Sequence, residues 1–280
     1  MSNHIEPSLP LFGYNASMRR SVLIGLLIFA IVALVTGWLL LTPSGLLGKA
    51  DAFGYSVCHQ APSRSFNIGG RPLPLCARCS GTFLGTLLGL AYLSTLGRKA
   101  GLPPIRIAAL LMIFLGAFAV DGLNSFVRII PGIPYLYTSH NWLRLVTGTG
   151  VGLGIASILL PVVHQSFWTQ YTDSPLLANW KQMGILLGLA ALLDLALLSD
   201  NALILYPLAV LSGLAVPIIL TIIYAVLWVL VTKQENRYHR LKDLWLPALA
   251  GFLTAMLQIS LIDAGRYWLM GTWAGIPLIN

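Results

Sequence analysis

The sequence predicts an all-α fold, a polytopic membrane bundle of about seven transmembrane helices with a cytoplasmic N-terminus. Three observations predict it. Of the 280 residues, 57% are hydrophobic and only 9% charged; a soluble domain carries roughly a quarter charged residues, so this chain cannot cover a water-facing surface. The apolar residues gather into stretches close to the ~20 that a helix needs to cross a ~30 Å hydrocarbon layer. The basic residues cluster in alternate loops, as the positive-inside rule requires.

Taken in order, the expected spans are 21–42, 80–97, 107–127, 142–162, 184–199, 203–231 and 245–262. Residues 1–20 are polar, contain Pro7 and Pro10, and read as a cytoplasmic tail. The apolar run after Arg20 is too long for a signal peptide and lacks a small-residue cleavage site. The second and fifth spans are short, and the sixth carries Pro207 and Pro217, which predict a tilt or kink. With the N-terminus inside, ten of the seventeen Lys and Arg residues fall on the inner side, clustered as in KQENRYHRLK at 233–242. The net charge of +8 therefore reports loop asymmetry rather than a nucleic-acid partner.

The chain divides into the tail 1–20, a four-helix core 21–162 that includes a Cys/His loop at 43–80, and a three-helix extension 163–280. The extension ends in RYWLMGTW, whose Tyr267, Trp268 and Trp273 suit an interfacial anchor. Gly81, Gly85 and Gly89 in the second span, and Gly148 to Gly154 in the fourth, form small-residue stripes that let helices approach closely.

All three cysteines lie within 58–79. Cys76 and Cys79 form a C-x-x-C, and Cys58-His59 comes seventeen residues before it, across a segment broken into turns by Pro62, Gly69, Gly70, Pro72 and Pro74. Folded back, this loop gathers Cys58, His59, Cys76 and Cys79 into a tetrahedral Cys3His site for a transition metal, with zinc the first choice. Adjacent residues do not readily point at one ion, so His59 is either a ligand or a base beside three thiolates. Thiol redox chemistry is the rival: Cys79, at the start of the second span beside Arg78, has the positive surroundings that favour a thiolate. A C-x-x-C at the outer end of a second transmembrane helix also resembles the quinone-linked disulfide-generating membrane enzymes of bacteria, although Cys58 alone cannot form their second cysteine pair. A structural Cys76–Cys79 disulfide or inert buried thiols complete the alternatives.

Ionisable residues inside a membrane are costly and mark functional candidates. Asp121, Asn124, Ser125 and Arg128 share one face of the third span at its outer end, and Asn141 and Arg144 open the fourth. With the loop as roof, Asp121, Asn124, Asn141 and Arg144 line the floor of an outward-opening cavity. The plain alternative is a register-setting pair of Asp121 with Arg144 or Arg128. Asp194, Asp200 and Asp263, with Arg266 three residues on, read as helix ends at the interface.

These motifs together resemble a known family. C-H-Q at 58–60, R-S at 64–65, P-L-C-A-R-C-S-G at 74–81, D-G-L-N at 121–124 and N-W-L-R-L-V-T-G at 141–148 are similar to those of the prokaryotic membrane proteins catalogued as domain of unknown function 2085. The resemblance covers about residues 50–155 and implies no activity. The residues themselves suggest roles: Cys58, Cys76 and Cys79 ligate; His59 ligates or acts as base; Arg64, Arg78 and Arg144 neutralise thiolates or bind an anion; Asp121 orients an arginine or the histidine. Three function classes are left open: a metal-dependent binding or assembly protein; a membrane enzyme, either a thiol–quinone oxidoreductase or one acting on an anionic lipid head group; and a transport path that begins at the polar outer ends of the third and fourth spans, against which stands the scarcity of ionisable groups continuing to the inner side. All place the protein in the inner (plasma) membrane with the Cys/His loop extracytoplasmic.

Overall fold

The computed structural model describes residues 11–128, 130 and 132–276, with side chains from residue 21 onward. The first ten residues of the expected tail lie outside the described residues, and from Leu11 the chain is already helical. The helices are α1 (Leu11–Leu41), α2 (Gly45–Tyr55), α3 (Ala77–Ser94), α4 (Ile105–Val127), α5 (Asn141–Phe167), α6 (Trp180–Leu197), α7 (Ala202–Val231) and α8 (Trp245–Met270). Among the described residues, strand is confined to a hairpin of β1 (Asn67–Ile68) with β2 (Arg71–Pro72) and a parallel pair of β3 (Lys99–Gly101) with β4 (Thr172–Pro175). The chain is an all-α, multi-pass membrane protein, as its composition demands, and its outer surface of large exposed apolar side chains implies a lipid bilayer around it.

The long helices alternate in direction. At one end, β3 pairs with β4, Trp168 bridges Tyr238, and the Arg98 guanidinium lies 3.8 Å from the Trp168 ring and donates to the His239 carbonyl. The loops after α3, α5 and α7 therefore share that end. At the other end, the loops after α1, α4 and α8 meet: Arg64 donates to the Ser125 carbonyl and the Tyr55 hydroxyl to that of Thr272. Among the described residues, six helices are long and apolar enough to cross a membrane; α3, the second of the seven expected spans, is not. Its glycines, threonines and Arg78 lower its hydropathy, and it is enclosed by α5, α6 and α7 rather than by lipid.

Helix α2 is absent from the sequence expectation, which made 43–80 a loop. With Gly45, Gly48 and Gly54 it has low intrinsic propensity, and it forms because its small face seats on α7. A Cβ added to Gly213 would fall 2.7 Å from the Ala50 Cα. Pro207 and Pro217 both lie inside a continuous α7.

The glycine stripes are the contact between α3 and α5. A Cβ on Gly148 would sit 2.2 Å from the Arg78 carbonyl oxygen, one on Gly152 2.4 Å from that of Thr82, and one on Gly81 2.5 Å from that of Leu145. Backbone carbonyls cannot swing aside as side chains can, so each position admits hydrogen alone. Gly148→Ala and Gly152→Ala should each destabilise the detergent-purified protein by about 1–3 kcal/mol. Gly154→Ala, where nothing lies within 4 Å, should leave the thermal midpoint unchanged or slightly raised.

Candidate metal and arginine centre

The centre begins with a folded-back loop. Gly69 (φ +55°) and Gly70 (φ +86°) form the two-residue turn between β1 and β2, a backbone conformation that side-chain-bearing residues resist. Gln60 closes the loop at its base: its side-chain amide donates to the Asp51 carbonyl at 2.8 Å and the Pro74 carbonyl at 2.7 Å. Gly54 lets the Pro74 carbonyl pass, since a Cβ there would be 2.2 Å from its oxygen. Arg71 pairs with Asp51 across the same junction. Residues far apart in the chain are thereby brought to the start of α3.

The three thiols meet there. The sulfurs of Cys58, Cys76 and Cys79 all lie within 4.8 Å of one another, a cluster compatible with a metal site, and all three are free thiols. The Cys58 sulfur accepts the backbone N–H of Gln60 at 3.4 Å and of Cys76 at 3.3 Å. Cys76, not Cys79, is the N-cap of α3; Cys79 lies one turn in. Hydrogen bonds from Cys58, then Cys79, then the His59 ring hold the Cys76 thiol well below the ordinary thiol range. The hydrogen bond to Cys76 is in turn the main reason that Cys58 keeps its proton, its pKa pushed up to about 12. His59 stands outside the mutually close set; its Nδ1 accepts the Ala61 N–H at 2.9 Å. On one side the thiols press against an apolar cluster of Trp38, Leu75, Val216, Met256 and Ile259.

On the other side lie the arginines. Asp121, fully buried, accepts from Arg78, from the Ser139 hydroxyl, and from the Tyr137 hydroxyl at 3.1 Å. The expected alternative pairing of Asp121 with Arg144 or Arg128 is thus replaced by Arg78, because the close α3–α5 contact places Arg78 over α4. Arg128 turns to the Tyr135 ring, 5.4 Å away. Asn124 binds the loop after α4, accepting from Leu136 N–H at 2.8 Å and donating to the Tyr137 carbonyl at 2.7 Å. Asn141 donates to the Ser65 carbonyl at 3.3 Å and accepts from Arg144 at 2.8 Å. Burial first, and then the charge of Arg78, push the Arg64 guanidinium below its ordinary value.

The sequence profile of the family described as "Predicted membrane protein (DUF2085)" matches residues 58–158. An uncharacterized protein of Methanocaldococcus jannaschii is 31% identical over 115 residues, covering 41% of this chain and 69% of the relative. Another from Methanothermobacter thermautotrophicus is 29% identical over 108 residues, 39% of this chain and 88% of the relative. The chain belongs to the DUF2085 family. No solved structure matches it. The DUF2085 region runs from the first cysteine of the cluster to the middle of α5 and so holds every thiol and buried arginine described above.

What lies beyond the DUF2085 match also reaches the site. Arg266 of α8 donates to the carbonyls of Tyr55 and Cys58, each at 2.6 Å, and of His59 at 3.3 Å, while its guanidinium lies 3.8 Å from the Tyr55 ring. The Ile276 N–H also donates to the His59 carbonyl, at 2.9 Å. Asp263 is not a helix end at the interface: it is buried and accepts the Trp38 indole N–H at 3.0 Å, tying α8 to α1. Asp194 is likewise buried, accepting from Thr149 at 2.6 Å; Asp200 is exposed. Of the expected anchor, Trp268 is 83% exposed, whereas Trp273 packs against Tyr55 and Tyr267. Sequence reading missed the role of Arg266, because nothing local links it to a loop more than two hundred residues earlier.

Asp121→Asn should cost about 3–5 kcal/mol, because Arg78 is left charged and unpaired in a buried setting. The double variant Asp121→Asn with Arg78→Gln should recover part of that loss in thermal unfolding of the purified protein.

Proposed function

We propose that this DUF2085 protein is a metal-binding protein of the inner (plasma) membrane, whose Cys58, Cys76 and Cys79 hold one thiophilic ion, zinc by preference, on the extracytoplasmic side. The observation that carries this reading is the convergence of three sulfurs from two separate segments, with two backbone amides aimed at the Cys58 sulfur. Such amides favour the thiolate that a metal needs, against the Cys76 hydrogen bond that otherwise holds the Cys58 proton, and a soft three-thiolate set selects zinc among the common divalent ions. Three protein ligands leave a fourth tetrahedral position open to an outside ligand. His59 stands beside it as an acid/base group: its Nδ1 accepts the Ala61 N–H, and the ring hydrogen-bonds the Cys76 thiol. The extracytoplasmic placement rests on the clustering of basic residues in the loops at the opposite end of the bundle.

A second reading, quinone-linked thiol oxidation through Cys76 and Cys79, is favoured by one feature: Cys76 caps a helix N-terminus and its thiol is held well below the ordinary range. The two readings separate in one preparation. Elemental analysis of protein purified in mild detergent should find about one zinc or other first-row ion per chain. That ion should be lost from Cys58→Ser and Cys76→Ser variants, and all three thiols should react with a thiol reagent after chelation. Metal-free protein that gains two thiols only on reduction would sink the metal reading and support the redox one.

A further inference from the structure

Beyond the thiols, the arginines carry more charge than their surroundings answer. Arg64 and Arg144 are 9% and 6% exposed, and a guanidinium does not give up its proton in a protein. Among the described residues there are two Arg–carboxylate ion pairs, Arg71 with Asp51 and Arg78 with Asp121. Asp121 is therefore spent on Arg78 and on two hydroxyls, and neither Arg64 nor Arg144 meets a carboxylate. Each makes one hydrogen bond among the described residues, Arg64 to the Ser125 carbonyl and Arg144 to the Asn141 side chain, out of five N–H groups. The Nε atoms of Arg78 and Arg144 are buried without a partner.

The three guanidiniums act on one another. Arg78 bears on Arg64, and both bear on Arg144. Arg64 and Arg78 meet at Ser125, one on its carbonyl and the other on its hydroxyl. Arg144 lies in the first turn of α5, whose Asn141 is bonded to the Ser65 turn next to Arg64. Arg128 adds further positive charge beside Arg64. Asp121 is the carboxylate that reaches these guanidiniums, and it is paired with Arg78, so Arg64 and Arg144 are left without one. An isolated buried charge is not sustained at such a cost.

We infer that Arg64, Arg78 and Arg144 form a binding site for a phosphate-type oxyanion between the Ser65 turn, the end of α4 and the start of α5. The planar forks of Arg64 and Arg144 have free N–H pairs suited to bidentate contact with phosphate oxygens, and the N-terminus of α5 adds a favourable dipole. The anion is either free in solution or the phosphomonoester head of a lipid in the adjoining leaflet. The site does not rest on the metal reading, since the Arg64 and Arg144 side chains bond to Ser125 and Asn141 and not to a thiol.

The test uses full-length protein in phosphate-free buffer. Inorganic phosphate is titrated in neutral detergent, and nanodiscs of phosphatidylcholine with and without phosphatidic acid are compared, with thermal unfolding as readout. A saturable rise in the midpoint is expected in at least one arm. A rise with phosphate identifies a soluble ion, and a rise with phosphatidic acid alone identifies a lipid head group. Phosphorus that survives purification and is released only on unfolding counts as the same result. Arg64→Gln and Arg144→Gln should weaken binding at least about tenfold, and Arg64→Lys, which keeps the charge and loses the fork, should fold and bind less tightly than wild type. No saturable rise and no retained phosphorus would overturn the inference, as would an equal rise with chloride or an undiminished rise in the glutamine variants. Metal content measured on the same samples separates failure of this site from failure of the thiol site.

Discussion

The close approach of α3 to α5 is the constraint on which the rest depends. Where Gly148 faces the Arg78 carbonyl and Gly152 faces that of Thr82, there is no room for a single methyl group. In a bilayer, hydrocarbon outside the bundle offers no hydrophobic reward for helix association, so contact area and backbone proximity must supply it. The glycines supply both, and they do so at the ends of α3 and α5 that carry Cys76, Arg78 and Arg144. A wider spacing would move Arg78 off Asp121 and separate the two helix N-termini that bound the site.

Within that frame the centre is a boundary between two kinds of surroundings. Cys58 and Cys76 back onto Trp38, Val216, Met256 and Ile259, an apolar wall drawn from three helices, α1, α7 and α8. On the other side Cys76 interacts electrostatically with Arg64 and Arg144. Low polarity on one side strengthens every charge interaction on the other. The same arrangement makes an unanswered charge expensive, so the supply of carboxylates decides what else must bind. Asp121 is saturated by Arg78, Tyr137 and Ser139, which leaves the Arg64 and Arg144 guanidiniums without a carboxylate.

Helices α6 to α8 lie beyond the DUF2085 match and still shape the site. Arg266 holds the carbonyls of Tyr55, Cys58 and His59, and Asp263 fixes α8 to α1 through Trp38. The extension is therefore a clamp on the Cys/His loop. Of its acidic residues, Asp194 and Asp263 sit inside the bundle, each accepting a single side-chain donor.

Much of this was legible in the linear order of residues. Hydropathy located α1 from Ser21 on and the helices α4 to α8, because a bilayer demands long apolar runs whatever their neighbours, and it marked α3 as a shorter run. The Pro/Gly breaks between Cys58 and Cys76 foretold a loop that folds back, and helical spacing put Asp121, Asn124 and Ser125 on one face. Other features were not legible, since they depend on partners remote in the chain. Helix α2 exists because α7 receives it; Asp121 chooses Arg78 because glycines bring α3 near α4 and α5; Arg266 has meaning only beside a turn that precedes it by more than two hundred residues. The sequence by itself determined a lipid-solvated helical bundle and the chemical types at its centre, through local period and composition. Tertiary structure alone decided which thiol caps the helix, which arginine takes the one carboxylate and which are left without, because those outcomes turn on distances of a few ångströms between segments that no local pattern connects.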